Sequence, residues 1–130
     1  VRACGCAARV HWLGFLDEAA KAAAYAAADV FVHASESEGM ALAILEAMSA
    51  GLPVVATRGC YMAEAAAAKA LVQCEQGPEA LASALSPLLN GRVLAQAQGS
   101  AGQAYVHQIH DWSALARATL RIYEEAAPRR

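Results

Sequence analysis

No uninterrupted apolar run in this 130-residue chain reaches the roughly 18 residues that a membrane-spanning helix needs. No secretory leader pattern of a basic start, an apolar run and a small-residue cleavage site is present. A large excess of charge of one sign is lacking too. The formal net charge is −2, which argues against a nucleic-acid or membrane-surface field acting through the whole domain. The four cysteines, Cys4, Cys6, Cys60 and Cys74, fit no common zinc framework. Cys4-x-Cys6 could be half of a metal site, but no second pair follows it. Reduced, packed thiols in a cytosolic protein are the expected state. There is no internal repeat and no low-complexity linker.

What is present is alanine, which supplies much of the 58% hydrophobic fraction. Alanine favours helix and lets helices approach a sheet closely. The length suits one domain with a real core. Along the chain, strand signals alternate with helix signals, the pattern of a parallel sheet with helices on both faces. Residues 10–13, 30–33, 52–57 and 70–74 read as strands. Helices are expected over 17–28, with Asp17 as N-cap, and over 41–50, with Gly51 as C-cap. A short helix is expected over 62–69. Pro78 opens a further helix that runs to residue 89. Residues 93–107 read as a helix with a soft point at Gly99 and Gly102. A final amphipathic helix covers 112–126, with Trp112, Leu115, Ala116, Leu120 and Tyr123 on one face.

The richest stretch is Ser35-Glu36-Ser37-Glu38-Gly39-Met40-Ala41-Leu42-Ala43-Ile44-Leu45-Glu46-Ala47-Met48. Glu38 and Glu46 stand eight residues apart. The first falls where a strand gives way to a helix, the second about two turns into that helix. Eight helical residues span roughly 12 Å. That is about the reach from a sugar ring, across a diphosphate, to a ribose. A carboxylate offers acceptor oxygens to vicinal hydroxyls. The free N–H groups of a first helical turn suit an anion between the two. A helix N-terminal charge and a solvated helix face would account for two such glutamates as well. Glu46, however, is the only charge between Gly39 and Thr57, and a carboxylate in an apolar run needs a partner or a crevice.

Three segments carry a family resemblance. They are Phe31-Val32-His33-Ala34-Ser35, Glu38-Gly39-Met40-Ala41-Leu42-Ala43-Ile44-Leu45-Glu46-Ala47-Met48, and Gly51-Leu52-Pro53-Val54-Val55-Ala56-Thr57. Together they resemble the C-terminal domain of the retaining GT-B glycosyltransferases of family 4, whose signature is a glutamate, seven residues and a second glutamate. Val10-His11-Trp12-Leu13-Gly14-Phe15-Leu16, Tyr25-Ala26-Ala27-Ala28-Asp29-Val30, Gly59-Cys60 with Glu64, and His110-Asp111-Trp112-Ser113 with Tyr123 resemble further family segments in the same order. The chain departs from the family in three places. Met40-Ala41 stands where many members have Phe-Gly, Ala34 where proline is common, and Tyr61 where asparagine is frequent.

The resemblance implies an α/β, Rossmann-like parallel sheet with helices on both faces, part of the C-terminal half of a GT-B fold. It implies that residues 1–130 are a partial nucleotide-sugar-binding domain, without the acceptor domain and the first strand and helix. The implied activity is sugar transfer from a nucleotide-diphosphate donor with retention of anomeric configuration. Glu38 is then the catalytic carboxylate, holding sugar hydroxyls and steadying positive charge at the anomeric carbon. Gly39, Met40, Ala41 and Leu42 offer main-chain N–H groups to sugar or phosphate oxygens. Glu46 accepts from the ribose, and Phe15 and Leu16 lie beside the base. For Phe15 and Leu16 a plain core pair is an equal alternative. His33 reads as a packed strand residue, and His107 and His110 as structural. No metal and no cofactor is expected. The implied partners are a nucleotide-diphosphate sugar and an acceptor glycan or lipid-linked glycan, with no nucleic acid and no membrane span. The implied location is cytoplasmic, with peripheral contact to the inner membrane face through the absent domain. A non-catalytic nucleotide-sugar-binding or structural module, and a GT-B epimerase, are the alternatives. A phosphorylase is disfavoured by the lack of a lysine near the motif that could carry pyridoxal.

Overall fold

The computed structural model describes residues 5–127. The expectation for Cys4 lies outside them. Six α-helices and three strands alternate over most of this length. They are α1 (Glu18–Ala27), β1 (Phe31–His33), α2 (Leu42–Ser49), β2 (Val54–Thr57), α3 (Ala63–Ala67), β3 (Val72–Cys74), α4 (Pro78–Asn90), α5 (Arg92–Ile109) and α6 (Trp112–Ala126). The sheet order is β1-β2-β3, and both pairings are parallel. Each crossover therefore carries a helix, as parallel strands require.

β2 is the centre of the molecule. All four of its residues are buried, so it shows no alternation: Val54, Val55 and Ala56 are apolar, and Thr57 ends the strand with a buried hydroxyl. α2 presents Ile44, Ala47 and Met48 to the core, the i, i+3, i+4 spacing of one helix face. These meet Val54 and Ala56 of β2, with Leu71 and Ala70 beside β3. Asp17 caps α1 by accepting from the Ala20 N–H at 2.8 Å. Gly51 ends α2 at φ +79°, a left-handed conformation that glycine adopts without strain.

Two expectations are corrected. Residues 10–13 form no strand, and the described sheet has three strands rather than four. A strand is a ladder, not a local property, and 10–13 has no ladder partner here. Trp12 and Leu13 are exposed accordingly. Gly99 and Gly102 mark no soft point, because α5 runs unbroken through both and both are buried. They are places of close approach. A Cβ on Gly99 would collide with the carbonyl oxygen of Gly51, and one on Gly102 would stand 2.8 Å from Ala70 O.

α6 begins at a well-made cap, with Asp111 accepting from the N–H groups of Ser113 and Ala114. None of its side chains is buried. Trp112, Leu115, Ala116, Thr119, Leu120 and Tyr123 line an open, mostly apolar groove along it.

Candidate functional site

The site is built at the carboxyl ends of β1 and β2. Residues 34–41 lead from β1 into α2, and Arg58–Cys60 forms a 3₁₀ turn directly after β2. Thr57 joins the two segments. Its Oγ1 donates to Ser35 O at 2.6 Å and accepts from the Ser35 N–H at 3.0 Å. The Glu38 N–H donates to Gly59 O at 2.9 Å. Gln76, from the segment after β3, donates to Ser35 O at 3.1 Å. Gly59 has to be glycine, because a Cβ there would run into the carbonyl oxygens of Glu36 and Ser35.

Glu38 sits on this loop, four residues ahead of α2 rather than in its first turn. His33, the last residue of β1, places its Nε2 3.0 Å from Glu38 Oε1. That hydrogen bond, followed by one from Ser35, holds the Glu38 carboxyl below the usual carboxylate range. His33 thus does more than pack in the strand.

The next residues form the turn into α2. Ala41 is the N-cap and has no side chain to cap with. Leu42 N–H is taken by Met40 O at 3.0 Å, and Ile44 N–H by Ala41 O at 2.9 Å. Among the described residues, no backbone acceptor takes the N–H groups of Gly39, Met40, Ala41 or Ala43. Of the four amides expected to face a ligand, three are free and that of Leu42 is engaged. Gly39, Met40 and Ala41 line one wall of a cavity of about 340 Å³, with Tyr61, Glu64 and His110 among its other residues. Tyr61 holds a left-handed backbone at φ +53°, a conformation asparagine tolerates better than tyrosine. His110 also packs its ring against Tyr105, with centroids 6.0 Å apart.

Glu46 stands just over one turn into α2, on the flank that faces α1. Lys21 Nζ donates to its Oε1 at 2.8 Å, and Tyr25 OH donates to its Oε2 at 3.1 Å. Lys21, with Tyr25 supporting it, holds the Glu46 carboxyl below its usual range, while partial burial works against them. Reciprocally, Glu46 pushes Lys21 up. The apolar run around Glu46 demanded a partner, and these two residues of α1 supply it. Glu46, Lys21 and Tyr25 line a cavity of about 360 Å³ between α1 and α2. Glu38 is not among that cavity's lining residues.

The two carboxylates are nonetheless joined by a row of rings. Tyr25 meets Phe31 edge-on at 5.8 Å, and Phe31 stacks on His33 at 6.2 Å. Phe31 and His33 are two apart on β1 and so share a face. The row runs Glu46, Tyr25, Phe31, His33, Glu38. Lys21, Tyr25 and His33 had no assigned site role in the sequence reading. The available signal was a lone lysine in an alanine-rich helix, followed four residues later by a tyrosine. That spacing puts both on one helix face.

Phe15 is 97% exposed and Leu16 only half-buried. Neither lines the cavity beside Glu46 or the one beside the amide turn. A larger cavity of about 460 Å³ lies at the opposite, amino end of the strands, beside Asp29, Pro53 and Arg92. Among the described residues, no group of three or more His, Cys, Asp or Glu is placed to hold a metal ion. None of the described helices is long and apolar enough to cross a membrane.

The chain is similar to known sugar-transfer proteins in both sequence and fold. Residues 1–91 match the family described as glycosyl transferases group 1, and the chain belongs to that family. It is 35% identical over 131 aligned positions to a phosphatidyl-myo-inositol mannosyltransferase of Mycobacterium leprae, covering 95% of this chain and 33% of that protein. Its fold resembles sucrose-phosphate synthase from Thermosynechococcus elongatus, with a TM-score of 0.84 and 26% identity, over 95% of this chain and 32% of the other. It also resembles WaaG, a glycosyltransferase involved in lipopolysaccharide biosynthesis, with a TM-score of 0.71 and 27% identity, over 80% of this chain and 28% of that one. The chain thus spans about one third of the length of the relatives it matches. The neighbours carry the GT-B architecture, and the parallel sheet described above is part of it.

Proposed function

We propose that this chain is the donor-binding part of a retaining glycosyltransferase that takes a sugar from a nucleotide-diphosphate donor. The observation that carries the reading is the order of groups at the carboxyl end of β1: an ionised Glu38 fixed by His33, then the free amides of Gly39, Met40 and Ala41, then Glu46 on α2. Ligands of open α/β sheets sit at this end of the strands.

In the reaction, the bond from the anomeric carbon to the diphosphate oxygen breaks, a bond from that carbon to an acceptor hydroxyl oxygen forms, and the hydroxyl proton passes to the departing diphosphate. Positive charge develops on the sugar and negative charge on the leaving diphosphate. Glu38 accepts hydrogen bonds from sugar hydroxyls and steadies the positive centre. The free amides of the turn donate to sugar or phosphate oxygens. Both groups are aimed before the reaction begins, and such fixed dipoles need no rearrangement as charge develops. Glu46 accepts from the ribose hydroxyls. The acceptor, a glycan or lipid-linked glycan, binds to another domain of a longer protein. We place the activity in the cytoplasm, at the inner membrane face when the acceptor is a lipid. The names of the mycobacterial and lipopolysaccharide relatives support an acceptor of that kind.

The test is binding to the 130-residue chain, followed by the amide resonances of residues 39–43 as nucleotide-diphosphate sugars are added. Those resonances are expected to move. Glu38→Ala should weaken the nucleotide sugar and spare the nucleoside diphosphate, whereas Glu46→Ala should weaken both. Turnover is not expected from this chain alone, because catalysis needs donor and acceptor held together. Resonances that ignore every nucleotide sugar, or equal effects of the two variants on both ligands, would refute the reading.

A further inference from the structure

Glu46 is held by two donors, one on each oxygen. An ionised carboxylate has about four lone-pair sites. Lys21 Nζ occupies one on Oε1 and Tyr25 OH one on Oε2, so each oxygen keeps one site. The Glu46 side chain is 41% exposed, and it lines the cavity between α1 and α2. The remaining sites are therefore open to a ligand. Two acceptor sites on adjacent oxygens of one planar group match the two O–H donors of a vicinal diol.

The donors are themselves fixed. Lys21 is only 33% exposed and lies 3.8 Å from the Glu18 carboxylate as well as beside Glu46. Tyr25 cannot swing away freely, because its ring abuts Phe31, and Phe31 is stacked on His33. We infer that Lys21 and Tyr25 are positioning residues that fix the plane of Glu46, so that it receives both hydroxyls of a ribose and discriminates against a deoxyribose. This rests on the donor-site reading above and goes beyond it, because it assigns nucleotide selectivity to two side chains of α1 that do not themselves need to touch the ribose.

The experiment measures dissociation constants of UDP and GDP, and of their 2′-deoxy counterparts, for the 130-residue chain. Inorganic pyrophosphate serves as a probe of the amide turn alone. Wild type should prefer the better-bound ribonucleotide over its deoxy form by about tenfold, the scale of one lost hydrogen bond to a charged group. Tyr25→Phe keeps the ring row and removes only the hydroxyl. It should bring the ratio to within about threefold, with pyrophosphate binding unchanged. Lys21→Met should do the same, and Lys21→Arg should restore the preference. A purely structural role predicts a different pattern, in which both variants weaken ribo- and deoxynucleotides equally and leave the ratio at its wild-type value. That pattern would overturn the inference while leaving the donor-site reading intact. Failure of all four nucleotides to bind the wild-type chain would overturn both.

Discussion

Replacing Gly99 by alanine sets two known effects against each other. Alanine is the better helix former, and in a helix interior the change is worth up to about 1 kcal/mol in favour of folding. Against it stands the Cβ, which would be driven into the Gly51 carbonyl oxygen, with Gly51 C at 3.1 Å and Leu52 C at 3.4 Å. The obstacle is backbone, and that backbone is tied down. Ala50, Gly51 and Leu52 donate to Glu46 O, Met48 O and Ala47 O at 2.9–3.0 Å. α5 is tied as well, by Gln98 Nε2 to Val54 O and Gln103 Nε2 to Ser49 O, both at 2.9 Å. Neither side yields cheaply, so the upper end of the overpacking range, about 3 kcal/mol, applies. The net expectation is a loss of about 2 kcal/mol. Urea unfolding followed by circular dichroism suits a single domain of this size. With a slope of about 1.5 kcal/mol per molar, the midpoint should fall by roughly 1.3 M. Ser100→Ala, at the exposed neighbouring position, should raise it by a few tenths of a molar at most. An unchanged or raised midpoint for Gly99→Ala would mean that α5 stands off from the Gly51 turn and that the packing argument is wrong.

Three further outcomes follow from the same structure. Thr57→Val removes both hydrogen bonds that tie β2 to Ser35 and should cost about 1–3 kcal/mol in urea unfolding, with weaker nucleotide-sugar binding because the Glu38 loop loosens. Glu46 has a folded pKa below its ordinary 4.5, so its contribution to stability is present above that value and is lost as the pH falls through the lower folded one. Urea midpoints of wild type and Glu46→Gln should therefore differ at neutral pH and draw together as the pH falls below the ordinary carboxylate range and through the lower folded value, and a gap that stays constant all the way into acid would contradict the ion-pair account. Amide hydrogens of α6 should exchange faster than those of β2, since α6 buries no side chain and β2 buries all four; equal protection in a demonstrated monomer would show that α6 finds cover.

Most elements were legible because their signals are local. Asp17 caps α1, Pro78 opens α4 and Gly51 closes α2, each through chemistry that a few neighbouring residues supply. The helix boundaries accordingly fall within two residues of their expected places. Residues 10–13 were misread because their apolar character is local but strand formation depends on a partner elsewhere in the chain. Gly99 and Gly102 were misread for the converse reason: their weakness as helix formers is local, and the contact that requires them lies some 50 and 30 residues away, at Gly51 and Ala70. The same distinction runs through the site. The spacing of Glu38 and Glu46 is written in one segment. Their partners are not, since Lys21 and Tyr25 reach Glu46 from another helix. His33 was closer to hand, five residues from Glu38, but a strand-end histidine carries no mark of what its ring will face.

The contact at Gly59 has a kinetic meaning. Ser35, Glu36 and Glu38 press or bond against Thr57 and Gly59 with no space for a methyl group between them. The rim that carries Glu38 is therefore one body made of two chain segments, and neither can swing outward while the other stays in place. On the donor-site reading proposed above, an arriving ligand meets a surface already in its final shape. Association at this rim should follow a single exponential whose rate rises linearly with ligand concentration, without the plateau that a loop closing over its ligand would impose.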